Sequence, residues 1–367
     1  MNIGIDARTA LLNKKGGFGV YTRNLIKEMA SLFPEHSFDL KFHKKIEHQI
    51  SGYNNINHKK LSFPLNTLWT QLRLPIHFIN YKPDVFLFPS QSVSRFSPSK
   101  KVVTIHDLRF KAIEHYNNSE YLRLDFQMKN CIKYSDQIIC VSNKTRSDLI
   151  KYYSVDDSKI NVIYHGADHF PKIIKDENRV KKNLLLNKYS IPNNFLLTVG
   201  YTMKHKNIIS AVRCLNELIN SGHEIQLVII GPRGDDENNI INSIQKLNLS
   251  DKVIRIPYVD SEDLPYFYYY SKLFLYPSFY EGFGFPILEA MKSGAVVLGS
   301  NVGSIPEIGG NAMNYFDPKN IEDMVNKTKE LLSDKEKLDR LRSAGYKRAK
   351  YFKWSKTAKN TVEVLQS

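Results

Sequence analysis

Two carboxylates eight positions apart, Glu281 and Glu289, bracket the segment Ser278-Phe279-Tyr280-Glu281-Gly282-Phe283-Gly284-Phe285-Pro286-Ile287-Leu288-Glu289-Ala290-Met291. A buried apolar run precedes the segment and a helical pattern follows it, so the glycines and the proline mark a strand-to-helix turn. The first turn of a helix presents unpaired N–H groups and a partial positive charge, which together can hold a diphosphate. Gly282 and Gly284 would let the backbone approach such a ligand without side-chain obstruction. Pro286 suits the first helical turn, where its missing N–H costs nothing. Spacing alone leaves a plainer reading equally open, in which the two acids are an ordinary helix-start and helix-surface pair.

Lys206 stands at another predicted helix start, where the helix dipole disfavours a cation. That placement argues for a bound anion; the plainer alternative is a solvated lysine. His106-Asp107 closes the apolar run Val102–Ile105, at a strand end of the kind where open α/β sheets collect ligands, although a lone histidine is more often structural. Gly17-Phe18-Gly19 runs on to Thr22 where a dinucleotide fingerprint needs its third glycine, so a dehydrogenase reading fails.

The elements that must position these residues alternate along the chain. Strands are predicted at Asn2–Asp6, Val85–Phe88, Val102–Ile105, Gln137–Val141 and Ile160–Ile163. A second series follows at Phe195–Val199, Leu227–Ile230, Val253–Ile256, Leu273–Tyr276 and Ala295–Leu298. Helices are predicted from about Val20 to Phe33, over Thr145–Tyr152 behind a Ser142-Asn143 cap, from about Asn207, and over Pro286–Ser293 and Ile321–Ser333. Strands alternating with helices imply parallel sheets, and 367 residues imply two domains. The polar stretch Lys172–Lys188 reads as the linker.

A chain that is 42% hydrophobic and 24% charged is globular rather than disordered. Neither a signal peptide nor a membrane span of about 20 residues is expected. Cys131, Cys140 and Cys214 lack metal-binding spacing and read as buried apolar residues of a reducing compartment. The formal charge of +15 gathers in pairs such as Lys14-Lys15, Lys44-Lys45, Lys59-Lys60 and Lys100-Lys101. Nucleic acid is set aside, because no RNA-binding signature, zinc-finger spacing or base-reading basic helix accompanies the charge. An anionic membrane surface and a merely solvated surface both remain.

The turn from Glu281 to Glu289 resembles the E-x7-E signature of glycosyltransferase family 4. The resemblance extends through Gly4-Ile5-Asp6-Ala7-Arg8, Gly16-Gly17-Phe18-Gly19, Thr104-Ile105-His106-Asp107-Leu108, Val141-Ser142, Val199-Gly200, Lys206-Asn207, Gly231-Pro232-Arg233-Gly234 and Phe352-Lys353-Trp354. It implies an α/β fold of two Rossmann-like domains facing across a cleft (GT-B). Residues 1–178 would form the acceptor-side domain and 185–350 the nucleotide-sugar domain, with a C-terminal helix at about 352–367 crossing back to the first.

By resemblance, Glu289 binds the donor ribose, Glu281 lies beside the donor sugar, and Gly282, Phe283 and Gly284 offer backbone groups to sugar and phosphates. Lys206 neutralises the diphosphate, Gly17 and Gly19 form a loop closing on it, and His106 meets the sugar. His106, Glu281 and Lys206 are the implied catalytic residues. Many members carry an arginine just before the lysine; this chain reads Gly200-Tyr201-Thr202-Met203-Lys204-His205-Lys206, leaving Lys204 or His205 as substitutes. The resemblance further implies retention of configuration and no cofactor, and no metal is expected, since the Asp-x-Asp pair that the alternative glycosyltransferase fold uses to hold a divalent ion is absent.

The GIDAR opening and the TIHDL segment resemble bacterial surface-polysaccharide mannosyltransferases, implying GDP-mannose as donor, with UDP- and dTDP-sugars as alternatives. The acceptor would be a glycan or an undecaprenyl-diphosphate-linked oligosaccharide, and the enzyme would be cytoplasmic with peripheral contact at the inner membrane face. The stretch Leu65–Phe78 reads first as a core helix interrupted at Pro75 and second as a bilayer contact. A non-catalytic binding protein and a nucleotide-sugar epimerase are the rival functions on similar scaffolds.

Overall fold

Among the described residues, thirteen short strands, nearly all apolar at their centres, form two separate parallel sheets. The computed structural model describes residues 1–11, 17–43, 50, 52–63, 68–113, 116–171, 173 and 178–367. Gly16, the pairs Lys14-Lys15 and Lys44-Lys45, residues 65–67 of the apolar stretch and residues 172 and 174–177 of the expected linker lie outside the described residues.

The first unit comprises Met1–His169 together with Lys353–Ser367. Its strands are β1 (Asn2–Asp6), β2 (Ser37–Phe42), β3 (Ile56–Lys60), β4 (Val85–Phe88), β5 (Lys100–Ile105), β6 (Gln137–Cys140) and β7 (Ile160–Val162). They lie in the order β3-β2-β1-β4-β5-β6-β7, all parallel. The second unit, Phe170–Phe352, holds β8 (Phe195–Val199), β9 (Gln226–Ile230), β10 (Val253–Ile256), β11 (Phe274–Tyr276), β12 (Val297–Ser300) and β13 (Asn314–Phe316). Their order is β10-β9-β8-β11-β12-β13.

Both sheets therefore reverse direction once, between β1 and β4 in the first and between β8 and β11 in the second. That is the doubly wound Rossmann arrangement, and the crevice beyond the strand ends at each reversal is where such sheets bind ligands. Parallel strands are covered on both faces, which explains apolar centres such as Val85-Phe86-Leu87-Phe88, buried at every position.

Three expectations need correction. The helix expected from Val20 begins at Gly17, so Gly17 and Gly19 form its first turn rather than a loop. Most of the expected linker that is described is the helix Asn178–Tyr189. Its polar composition hid Leu185 and Leu186, which are buried while Asn183, Asn187 and Lys188 are exposed. The division between the units falls after His169, nine residues before position 178.

The stretch around Pro75 is amphipathic. Trp69–Arg73 winds as a π-helical turn into the helix Leu74–Phe78, with Trp69, Leu74 and Phe78 buried. Leu72 and Ile76 face outward, so the core reading holds for one side only. All three cysteines are buried and free, and among the described residues no helix is long and apolar enough to cross a membrane.

Candidate active site

In the second unit, the loop leaving β8 carries Lys206 and the loop leaving β11 carries Glu281, so both emerge at the reversal of the sheet. Three contacts join the loops. The Phe279 amide donates to the His205 carbonyl at 2.7 Å, Asn207 Nδ2 donates to the Pro277 carbonyl at 3.1 Å, and Lys206 Nζ donates to Glu281 Oε1 at 2.6 Å. Ser278 Oγ donates to the same carboxylate oxygen at 2.7 Å.

Burial pushes the Glu281 carboxyl up, but Lys206 and His205, with the hydrogen bonds from Lys206 and Ser278, outweigh it and hold the group below the usual glutamate value. Glu281 is therefore ionised at neutral pH. Lys206 Nζ also lies 5.5 Å from the Tyr276 ring centroid, over an aromatic face that favours a cation.

The turn after Glu281 enters the helix Phe285–Ser293, with Pro286 in its first turn and Gly284 before it at φ +96°. That backbone suits glycine. A second turn, absent from the sequence reading, supports the first. Ser304 Oγ donates to the carbonyls of Glu281 and Phe283, both at 3.0 Å, and the Ser304 amide donates to the Glu281 carbonyl at 3.2 Å. Gly303 has φ +64°, and a Cβ there would lie 2.9 Å from the Glu281 amide nitrogen. Gly282 and Phe283 are buried in this turn, where the Phe283 ring meets Phe285 and Phe352 edge-on at 5.4 and 6.0 Å.

Glu289 lies in the middle of that helix, accepting from Tyr268 Oη at 3.3 Å. Burial raises its carboxyl to about 7, against the small opposing effect of that hydrogen bond. Of the two substitutes for the missing arginine, His205 adds to the field on Glu281, whereas Lys204 is exposed and its amide is held by Asp235 Oδ1 at 3.0 Å.

In the first unit His106 is buried beyond β5, with Nε2 2.9 Å from the Pro89 carbonyl at the end of β4. That partner can only accept, so Nε2 carries the proton and Nδ1 is the acceptor. Burial lowers its pKa to about 4, so the ring is neutral at physiological pH. Phe18, between Gly17 and Gly19, meets the ring edge-on at 4.6 Å, which brings the glycine turn beside the histidine. A cavity of about 50 Å³ adjoins, lined by Gln91, Asp107, Arg109, Phe110, Tyr116 and Gln127 among others. The structure thus assembles two clusters: Lys206, Glu281 and the Gly282–Gly284 turn in one unit, and His106 with the glycine turn in the other.

Comparison with known proteins places the chain in a family. Residues 15–169 match the model described as Glycosyltransferase Family 4, and residues 182–348 match Glycosyl transferases group 1. O-antigen chain mannosyltransferase B of Escherichia coli is 27% identical over 272 residues, 73% of this chain and 70% of that protein. The serotype-specific mannosyltransferase WbdA of Escherichia coli is 28% identical over 276 residues, 72% of this chain but only 33% of its own length. The chain thus spans about a third of that longer relative. Sucrose-phosphate synthase from Thermosynechococcus elongatus superimposes with a TM-score of 0.79 at 17% identity, covering 100% of this chain and 98% of that one. With both units matched in series and the same two-sheet architecture, the chain belongs to glycosyltransferase family 4 and has the GT-B fold.

Proposed function

We propose that this glycosyltransferase moves a mannosyl residue from GDP-mannose onto a glycan or undecaprenyl-diphosphate-linked oligosaccharide at the cytoplasmic side of the membrane, with retention and without a metal ion. The observation that carries the reading is the Lys206–Glu281 pair at 2.6 Å, at the sheet reversal and beside a glycine turn. The mannosyltransferase names of the relatives support the choice of sugar.

Lys206 and the first turn of the helix Phe285–Ser293 stabilise the departing nucleoside diphosphate as the bond from the anomeric carbon to its oxygen breaks. The acceptor oxygen bonds to that carbon on the same face, and its proton passes to a donor phosphate oxygen. Glu281 is ionised, so it does not act as a general acid. One of its oxygens already accepts from Lys206 and Ser278, which weakens it as a nucleophile; it orients the sugar and stabilises positive charge at the anomeric carbon. Neutral His106 serves as a hydrogen-bonding partner of the sugar, and Glu289 accepts from the ribose hydroxyls.

The test is transfer from GDP-mannose, UDP-glucose and a dTDP-hexose into a lipid-linked acceptor fraction, with and without chelator, followed by NMR of the product's anomeric configuration. Transfer of mannose alone, unaffected by chelator and giving the donor's anomer, is expected. Exclusive use of a uridine or thymidine donor overturns the donor assignment, and an inverted product overturns the mechanism.

A further inference from the structure

Lys206 is held at its ammonium by Glu281 and, through its loop, by a largely buried polar cluster outside the proposed mechanism. The helix Glu237–Lys246 opens on Glu237, whose carboxylate is buried. Arg255 of β10 grips it with two bonds, Nε to Oε1 at 3.2 Å and Nη2 to Oε2 at 3.0 Å, while Nη1 donates to the Gly231 carbonyl at 2.7 Å. Thr202, fully buried in the loop leaving β8, closes the cluster. Its hydroxyl donates to Glu237 Oε2 and accepts from the Gly234 amide at 2.7 Å.

The loops leaving β8 and β9 are also interlocked through their backbones. The Thr202 amide donates to the Pro232 carbonyl at 3.2 Å, and the Asp236 amide donates to the Thr202 carbonyl at 2.9 Å. A Cβ on Gly231 would lie 2.1 Å from the Gly200 carbonyl oxygen, so no side chain fits between the loops there. From Thr202 the chain reaches Lys206 through one 3-10 turn, Lys204–Lys206, in which the Lys206 amide donates to the Met203 carbonyl at 2.8 Å. A shift of Thr202 is therefore passed to the Lys206 backbone with little slack.

A buried ion pair is a poor source of stability, because apolar side chains of like volume often serve as well. What it supplies is direction, since the guanidinium fork fits a carboxylate in one arrangement that a lysine does not reproduce. Burial pushes the Glu237 carboxyl up, but Arg255 and Thr202 outweigh it; ionised, the group only accepts, which aims the Thr202 proton at it. We infer that Thr202, Glu237 and Arg255 are positioning residues, which set Lys206 against the donor diphosphate from the far side of its loop. The inference deepens the donor reading above and rests on it.

Thr202→Val removes the hydroxyl with little change of shape, Thr202→Ser restores it, and Arg255→Lys keeps the charge while losing the fork. Hydrogen exchange, which needs no donor, is read at the amides of Gly200, Lys204 and Lys206, all hydrogen-bonded in the folded chain. Exchange about tenfold faster is expected in Thr202→Val and Arg255→Lys but not in Thr202→Ser. GDP affinity and mannose turnover should fall about tenfold or more in the same two variants, and by less than about twofold when Thr202→Val is added to Lys206→Ala. Unchanged exchange in both variants overturns the inference. So does a loss of turnover equally large without Lys206, because the cluster then acts elsewhere. A turnover loss that only tracks a falling melting temperature, unrescued by Thr202→Ser, reduces the cluster to structural support and overturns it as well. If the unaltered chain ignores GDP-mannose, the donor assignment alone fails, and the exchange result still decides for or against the positioning role.

Discussion

Glu281 and Glu289 are both desolvated, yet only one has a cation beside it. Removing that cation in Lys206→Ala leaves burial opposed by His205 and Ser278 alone, so the Glu281 carboxyl rises and loses its charged partner. The expected result is a fall in turnover of about a hundredfold or more, by comparison with lost transition-state donors, with the fold retained by circular dichroism; unchanged turnover removes Lys206 from the mechanism. Glu289 has the opposite problem, since burial lifts it to about 7. In its proposed role only its ionised form can accept from both ribose hydroxyls, so on that reading nucleotide affinity should rise from pH 6 to pH 8 and then level off. Glu289→Gln should bind weakly and show no such rise in calorimetric titration. The sign for stability is reversed. A carboxyl raised on folding binds its proton more tightly in the folded chain, so stability is full below the unfolded pKa and falls as pH rises toward 7. Glu289→Gln should therefore raise the melting temperature at pH 8 and change it less at pH 5. Types and spacing singled out Glu281, Glu289, Lys206 and His106 as candidates in the sequence, and only the family resemblance supplied their expected roles. The parts played by Asn207 and Ser304 were not legible there, because they act through contacts 70 and 23 positions apart that no local pattern encodes, and that of Ser278 depends on the fold of the turn it shares with Glu281.

At the level of elements, the turn Gly303-Ser304 acts as a brace for the turn that carries Glu281. Gly303→Ala meets two penalties, a left-handed backbone and a Cβ 2.9 Å from the Glu281 amide nitrogen. Left-handed strain in a non-glycine residue costs about 1–2 kcal/mol, and the contact must also displace the Glu281 backbone. The expected outcome is a modest loss of stability with a larger loss of donor affinity and turnover. Ser304→Ala, which removes two hydrogen bonds without a clash, should move the same quantities less; equal effects on stability and turnover would reduce the turn to a structural role. The same scale explains what the sequence left hidden in the fold. Central strands such as Phe195–Val199 are buried runs with clear ends, and they were legible. The strand Ile56–Lys60 reads Ile-Asn-His-Lys-Lys with only Ile56 buried, because it lies at the sheet edge where no apolar run is required. The helix Asn118–Tyr134 was hidden for a related reason. Its inner side includes Asp125, which is buried against Lys111 at 2.6 Å and so breaks the apolar period.

Across the whole molecule, each unit is a Rossmann sheet, but the first is completed by the chain's last segment. The helix Trp354–Gln366 belongs to the first unit and buries Trp354, Ala358, Val362 and Leu365 there. Its start is seated with little tolerance: the Trp354 amide donates to Asp168 Oδ1 at 2.8 Å and its indole Nε1 to His169 Nδ1 at 3.0 Å. A Cβ on Gly166 would lie 2.2 Å from the Trp354 backbone nitrogen. Truncating a buried tryptophan to alanine costs about 3–5 kcal/mol, and here the whole cost falls on one unit. In scanning calorimetry Trp354→Ala should therefore lower the transition of the first unit while leaving that of the second in place. On the proposed donor reading, GDP added to this variant should still raise the second transition, because Lys206, Glu281 and Glu289 all lie within Phe170–Phe352. If both transitions fall together, the units unfold as one cooperative body and the closing helix supports more than the sheet it covers. If neither moves, Trp354 contributes nothing to the first unit despite its burial, and the sequence-distant closure of that unit is not what holds it together.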